Sequence, residues 1–467
     1  MKQKYLAILV LASLLLSFRT ALAQAPQPPV DAQSTTGPIP PRYVNIQGIR
    51  VAPNTTGQLS PVPAYIWTHG CGPTAAGMII GYWDTKWFGK LVPGDAHSQS
   101  LEVSEMIASS QGMLNHYNDY ALPLDSFPYL IPDRSEPPAG DEHISNSLAD
   151  FMHTSFSANG NYYGWSWFSD FGPALQGYVN YANVTYGSSY HVTTSNYYMY
   201  NGSFNWDLFR SEIDAGRPVG MLVDINADGH TDHFITAFGY DDTTGTKKYA
   251  ALNTWDTDVH WYDFVSMAPG VPWGIFGATT MQISSFQDAP AVYWAWSWIE
   301  RLYAAGITGG CGSGIYCPES SVTRAQMAIF LERGMKGSSY TPPTATGTAF
   351  ADVPSAYWAA AWIEQLAADG ITAGCGGSNY CPDDPVTRAQ MAVFLLKSKY
   401  GSSYIPPAVG SSTGFSDVTT DYWAASWIKQ LAAEGITGGC GTNLYCPESP
   451  VTRAQMAVFL VRTFNLP

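Results

Sequence analysis

Apolar residues follow two different rhythms along this 467-residue chain. The stretch "GCGPTAAGMIIGYWD", residues 70 to 84, is small or apolar on every side, the pattern of a buried helix, with Pro73 where a helix starts. Residues 233 to 240, "HFITAFGY", read as a strand apolar on both faces. The next run, "KYAALNTWD", reads as its neighbour, joined to it by the turn "DDTTGTK". The Tyr- and Asn-rich segment 178 to 200 reads as strand surface, its rings also suited to stacking on peptide or sugar.

Past residue 283 the rhythm changes to a threefold repeat. Copies open at Phe286, Phe350 and Phe415, offsets of 64 and 65 residues. Each reads as a helix from the Tyr-Trp pair to the Gly before Ile-Thr, an extended loop, and a second helix. That second helix is capped by Thr323, Thr387 or Thr452. The domains expected are a signal peptide at 1–23, a Pro-rich spacer at 24–60, a mixed helix-and-strand domain at 61–283, and repeats at 284–335, 348–400 and 413–467.

The signal is read from "MKQK", the apolar run "YLAILVLASLLLSF" and "ALA" ending at Ala23. It predicts export, with no transmembrane helix in the mature form. The Pro-rich stretch after Ala23 reads as too short and too polar to block a cleft. A net charge of −15 argues against a nucleic-acid partner, which would need a basic face. Six of the seven cysteines form pairs of equal spacing, Cys311 with Cys317, Cys375 with Cys381 and Cys440 with Cys446. Export makes disulfides the natural reading, each closing a short loop for roughly 2–2.5 kcal/mol. Zinc is the rival, but each repeat offers two thiolates and no histidine. Cys71 is left over, and an unpaired thiol in an exported protein needs a reason.

The repeats resemble S-layer homology repeats through the opening F-x-D, the Tyr-Trp followed by Ala, "GIT" and "VTRAQMA". The resemblance implies a mainly α-helical, pseudo-threefold domain that docks on cell-envelope polysaccharide through grooves between units. Arg324, Arg388 and Arg453 match the signature arginine, which would pair with an anionic sugar substituent. The plainer reading is that they tie the units together. Gln326, Gln390 and Gln455 stand where the family has Glu, and the Cys-x5-Cys loop is an elaboration.

Cys71 falls at or just before a helix N-terminus, where backbone N–H groups favour thiolate, and His233 at the mouth of a strand is held rigidly. The neighbouring strand end brings Asn253 or Asp256 close to His233. "GCGPTAAGM", "HFITAFGYDD" and "LNTWD", in that order, resemble a papain-type cysteine peptidase of the bacteriocin-processing branch. The resemblance implies an α+β papain-like domain in which Cys71 is nucleophile, His233 base and acid, and Asn253 the orienter with Asp256 as alternative. Trp255 would screen the last hydrogen bond. Tyr65 stands where the family places an oxyanion-stabilising Gln, so the Cys71 N–H is expected to act with Tyr65 or His69. Asp224, Asn226, Asp228 and Asp232 have calcium-loop spacing, although position twelve is Ile235. A hairpin turn with solvated acids explains them as well. The expectation is an exported, envelope-tethered, monomeric cysteine peptidase acting on peptide or protein and requiring no cofactor, with structural Ca²⁺ as an option. The alternative is a non-catalytic surface binding or structural protein anchored by the repeats.

Overall fold

The computed structural model describes residues 32–46, 57–109, 145–154, 164–243 and 245–467. The signal segment 1–23 lies outside the described residues. The chain is an α+β protein built of a sheet domain followed by a ring of helices.

The first domain is organised by an antiparallel sheet in the order β2-β7-β3-β4-β5-β6. Its strands are β2 (His191–Tyr198), β3 (Val219–Asp224), β4 (His233–Asp241), β5 (Lys248–Leu252), β6 (His260–Asp263) and β7 (Gly274–Ser284). A short β1 (Gly57–Gln58) pairs with Tyr240 and Gly239 at the far end of β4, beyond the last β3 pair at Ala237. β3, β4 and β5 are buried along their whole length because both faces are covered, so they read as continuous rather than alternating apolar runs.

One face carries α1 (Cys71–Lys86), α2 (Leu101–Ile107), α3 (Leu148–Phe151) and α4 (Phe168–Tyr186), packed on Leu222, Phe234, Phe238 and Met281. The other carries α5 (Trp206–Asp214) and residues 44–46, packed on Met221, Ile235, Tyr249 and Trp273. Two expectations change here. Residues 178–186 are helix rather than strand, since Tyr178, Val179 and Ala182 supply the buried stripe of α4; the strand begins at His191. The expected spacer is in part domain wall: Ile46 and Asn45 carbonyls accept from Tyr262 Oη and Trp273 Nε1.

The helical ring contains α6 (Trp296–Ala304), α7 (Arg324–Lys336), α8 (Ala360–Ala368), α9 (Arg388–Tyr400), α10 (Ala425–Ala433) and α11 (Arg453–Phe464). The long helices α7, α9 and α11 pack on one another, and each also packs on the short helix of the next repeat, with α11 returning to α6. Three valines close the circle through their backbones: Val322 N–H donates to Val451 O, Val451 to Val386, and Val386 to Val322. Every long helix opens with the expected threonine in a capping box, and the box explains Gln326, Gln390 and Gln455: each amide oxygen accepts from its threonine N–H.

All three expected disulfides are present. The aspartate of each F-x-D motif holds its loop, Asp288 accepting from the N–H groups of Tyr316 and Cys317, and Asp352 and Asp417 doing the same in their repeats. Cys317, Cys381 and Cys446 sit in the left-handed region, and that clamp together with the disulfide holds them there.

The two domains meet at α6. Trp296 enters the aromatic cluster of Trp83, Trp87 and Phe88. Buried Glu300 accepts from Ser285 N–H and Oγ, and burial pushes its pKa up to about 7, from 4.5 in the ordinary case. Between those values the folded chain keeps a proton the unfolded chain releases. This stabilisation is complete below pH 4.5 and is lost as pH rises through 7. The full span is worth roughly 3 kcal/mol. Glu300→Gln is therefore expected to flatten the fall in melting temperature between pH 4.5 and 7.5, read by differential scanning calorimetry as the difference from wild type.

Candidate functional site

Cys71 is the first residue of α1, and the chain reaches it through a buried turn in which His69 is left-handed (φ 59°). Gly70 and Gly72 let the turn sit tight: a Cβ on Gly72 would lie 2.7 Å from Met152 Sδ, and one on Gly70 3.0 Å from the Gly164 carbonyl. The sulfur lies against the start of β4, with Phe234 N–H pointing to Sγ at 3.4 Å. Thr236 Oγ1, donating to the Ala75 carbonyl, fixes α1 on the strand.

His233 opens β4, and Asn253 follows directly after β5, whose Leu252 pairs with Thr236. The two residues meet, but not through the amide. His233 Nε2 lies 2.7 Å from the main-chain carbonyl of Asn253. The Asn253 side-chain oxygen instead accepts from the N–H groups of Trp255 and Asp256, and so shapes the turn after β5. Trp255 lies flat on the His233 ring, with centroids 3.8 Å apart. Asp256 is taken by another partner, its carboxylate 2.7 Å from His260 Nε2.

Thr36 stands between cysteine and histidine. Its hydroxyl is 3.5 Å from Cys71 Sγ and 2.5 Å from His233 Nδ1. A carbonyl oxygen only accepts, so Nε2 carries the ring proton in its bond to Asn253, and Nδ1 of the neutral ring accepts from Thr36. Burial pulls the His233 pKa down to about 3, and burial also pushes the Cys71 thiol up, against its contacts with Phe234 N–H, Thr36 and Ser34. Both groups are neutral at pH 7. The helix-terminal seat expected to favour thiolate is overridden because the site is covered.

The oxyanion candidates separate. Tyr65 Oη donates to the Ala96 carbonyl at 2.6 Å and packs against Gly81, more than two turns along α1 from Cys71. His69 is buried immediately before Gly70. The loop 66–68 is braced by Gln99, whose side chain bonds Ile66 N–H, the Ile66 carbonyl and Thr68 Oγ1. No local pattern marked Gln99, because it lies about 30 positions further on.

The calcium-loop acids turn onto their own backbone. Asp224 accepts from Ala227 and Gly229 N–H, Asn226 from Asp228, Asp228 from His230 and Asp232 from Ile225. Among the described residues, the one cluster of His, Cys, Asp or Glu with ligand atoms close together is Asp417 with Cys440 and Cys446, and those thiols are consumed by their disulfide. Asp232, next to His233, is pushed up to about 8 by burial, with Asp224 and Asp228 adding to it.

The three signature arginines are joints of the ring. Arg324 Nε donates to the Tyr380 carbonyl, Arg388 to Tyr445 and Arg453 to Tyr316, each at 2.7 Å and each across a repeat boundary. Each guanidinium also lies over the ring of that same tyrosine. Arg453 still borders a groove of about 340 Å³ together with Gln326, Phe330, Arg333 and Trp358. Trp294, Trp358 and Trp423 are about 60% exposed at equivalent positions, which sets them apart from every other tryptophan in the repeats. Their place in the repeat signature was legible; their exposure was not.

Residues 285–328, 349–392 and 414–457 match the family model described as the S-layer homology domain. The chain carries three S-layer homology repeats and is a cell-surface, cell-envelope-associated protein. It is similar to an amylopullulanase of Thermoanaerobacterium thermosulfurigenes, 29% identical over 170 residues, 36% of this chain and 9% of that protein. It is also similar to a cellulosome-anchoring protein of Acetivibrio thermocellus, 23% identical over 156 residues, 33% of this chain and 35% of the relative. An S-layer protein, EA1, of Bacillus anthracis is 29% identical over 126 residues, 27% and 14% of the two chains. The chain thus spans well under two thirds of each relative. Among the described residues no helix is long and apolar enough to cross a membrane.

Proposed function

We propose that the protein is a cysteine hydrolase held on the cell envelope, its repeats docking on cell-wall polysaccharide and its sheet domain cleaving peptide bonds through Cys71 and His233. The observation that carries the catalytic half is the seating of both groups. A cysteine at a helix N-terminus lies under the Phe234 N–H, one hydroxyl away from a histidine fixed by the Asn253 carbonyl and the Trp255 ring. The order and types of these residues resemble papain-like cysteine peptidases.

In the reaction, Nδ1 of His233 takes the thiol proton and the thiolate adds to the substrate carbonyl carbon. The oxyanion faces the N–H groups of the first turn of α1, Cys71 included. Collapse expels the amine, which takes the proton from His233, and leaves an acyl-Cys71. Water then adds with His233 again as base, releasing the acid and the thiol. Incubation of the chain with a peptide library, followed by mass spectrometry, tests this: cleavage that is lost in Cys71→Ala supports it.

A second reading, in which the sheet domain is a binding module, is favoured by Tyr65 being engaged at Ala96 and by the neutral thiol. Tight peptide capture without cleavage in the same experiment selects it.

The relatives include a cellulosome-anchoring protein and S-layer proteins, and this supports the anchoring half. The groove edged by Trp358 and the equivalent exposed indoles of Trp294 and Trp423 are the proposed sugar contacts, an exposed indole stacking on a sugar face. Trp358→Ala is expected to weaken co-sedimentation of the full chain with purified wall material about tenfold. Wall material stripped of its polysaccharide should retain neither form.

A further inference from the structure

Residues 32–37, Ala-Gln-Ser-Thr-Thr-Gly, lie across Cys71 as an extended chain gripped from both sides. On one side Phe168 N–H donates to the Ala32 carbonyl at 2.7 Å, Ser34 N–H donates to the Ser166 carbonyl at 2.9 Å, and Gln33 pairs antiparallel with Trp167. On the other side the Asp232 carbonyl accepts from both Thr35 and Thr36 N–H, at 2.9 and 3.2 Å, and Thr231 Oγ1 donates to the Gln33 carbonyl. Trp255 Nε1 holds the exit by donating to the Gly37 carbonyl at 3.0 Å.

The side chains alternate as in a strand. Ser34 is fully buried and Thr36 is 7% exposed, while Thr35 between them points to solvent. Ser34 Oγ accepts from Ser166 N–H, and the Ser166 hydroxyl is 2.8 Å from Thr154 Oγ1. The hydroxyls of Ser34 and Thr36 both act on the Cys71 thiol. Beside it the wall is tight: a Cβ on Gly72 would lie 2.7 Å from Met152 Sδ and 2.9 Å from Ser166 Oγ.

This is how an extended peptide would lie in a cleft that cuts peptides: main chain bonded to both walls, alternate side chains inward, and the nucleophile beneath. The expectation that the stretch after Ala23 is too short and too polar to block a cleft weighs length and side chains alone; few residues and no large apolar side chain are needed when the main chain supplies the bonds. We infer that residues 32–37 are a resident occupant of the substrate groove that keeps Cys71 idle, and that the groove accepts extended peptides carrying small, hydroxyl-bearing residues at the two inward positions. The inference rests on the hydrolase reading for its function, although not for its geometry. In the occupied groove the Thr36 hydroxyl fills the place between Sγ and Nδ1 through which the thiol proton must pass. A competing peptide strand of the same character must displace it before Cys71 meets a carbonyl.

The experiment is iodoacetamide labelling of Cys71 in the full-length chain, read by peptide mass spectrometry at pH 7.5. Three variants are compared: Thr36→Ala, which removes the bridging hydroxyl alone; Ser34→Arg with Thr36→Arg, which cannot fit the groove; and Ile39→Arg, exposed and outside it. The double variant is expected to label at least tenfold faster than wild type, Thr36→Ala a few-fold faster, and Ile39→Arg at the wild-type rate. Millimolar synthetic Ala-Gln-Ser-Thr-Thr-Gly should slow labelling of the double variant again, whereas the same peptide with Arg at the two inward positions should not. An unfolded protein exposes Cys71 but cannot be protected by a peptide, so protection separates release from unfolding. Unchanged labelling in both Thr36 variants, or fast labelling with no protection by the peptide, overturns the inference. A double variant that labels fast and is protected, yet cleaves nothing in the library, upholds the groove and rejects the hydrolase.

Discussion

Arg388→Ala is expected to lower the melting temperature of the repeat domain by roughly 10 °C while leaving Cys71 labelling unchanged. Arg388 is 3% exposed and bonds Tyr445 in two directions: its Nε donates to the Tyr445 carbonyl, and its own carbonyl accepts from Tyr445 Oη at 2.7 Å. The guanidinium also spans the Tyr445 and Phe459 rings, at 4.9 and 5.5 Å from their centroids. Truncation leaves a buried carbonyl without its charged donor and a cavity between two repeats, together about 3–4 kcal/mol. A domain of this size loses roughly 2–4 °C per kcal/mol. Arg388→Lys should recover little, because an ammonium has neither the planar fork nor the flat face that lies over Tyr445. An arginine that served only to meet a wall sugar would lose binding on substitution and keep its melting temperature. Thermal unfolding followed by circular dichroism, alongside wall co-sedimentation, distinguishes the two roles.

What could be read from the sequence was whatever short-range chemistry decides. Thr323, Thr387 and Thr452 cap helices because the bond they make is to a residue three positions away. Cys311 and Cys317 pair because they lie only six positions apart and export keeps them oxidised. β4 and β5 follow from two apolar runs and a tight turn, and that hairpin is what delivers His233 to Asn253. The misreadings are matters of distance or of atom choice. Thr36 reaches His233 across 197 positions, and nothing in "QSTTGPIPP" marks it as a partner of that histidine. A polar, Pro-rich composition describes how a segment behaves alone, not which main-chain donors a folded domain offers it. At Asn253 the residue was legible but not whether its amide or its carbonyl would serve, since that is set by the backbone path of the turn after β5, in which Thr254 is left-handed at φ 69°. Residues 178–186 carry the Tyr and Val that suit strands, yet the buried face they offer to α1 and α3 made them helix.

That same atom choice sets the sharpest test of the site. In the proposed hydrolase, His233→Ala is expected to abolish cleavage, by a factor of 10³ or more, because both proposed proton transfers run through this ring. Asn253→Ala is expected to cost less than tenfold. The carbonyl that receives Nε2–H survives the substitution, and Trp255 still lies on the ring. What is lost is the pair of bonds from Asn253 Oδ1 to the Trp255 and Asp256 N–H groups, worth about 1–2 kcal/mol to the turn. Trp255→Ala should act on two quantities in opposite directions. It frees the imidazole plane, which lowers turnover, and it releases the Gly37 carbonyl, which raises the labelling rate of Cys71. Turnover and labelling are therefore measured together on all three variants. If Asn253→Ala proves as damaging as His233→Ala, the amide must swing onto the imidazole during turnover, and the carbonyl bond belongs to the state in which residues 32–37 lie over Cys71. If it stays near wild type, the main chain is the orienting group, and the side chain at 253 is free to vary wherever the turn after β5 can be held by other means.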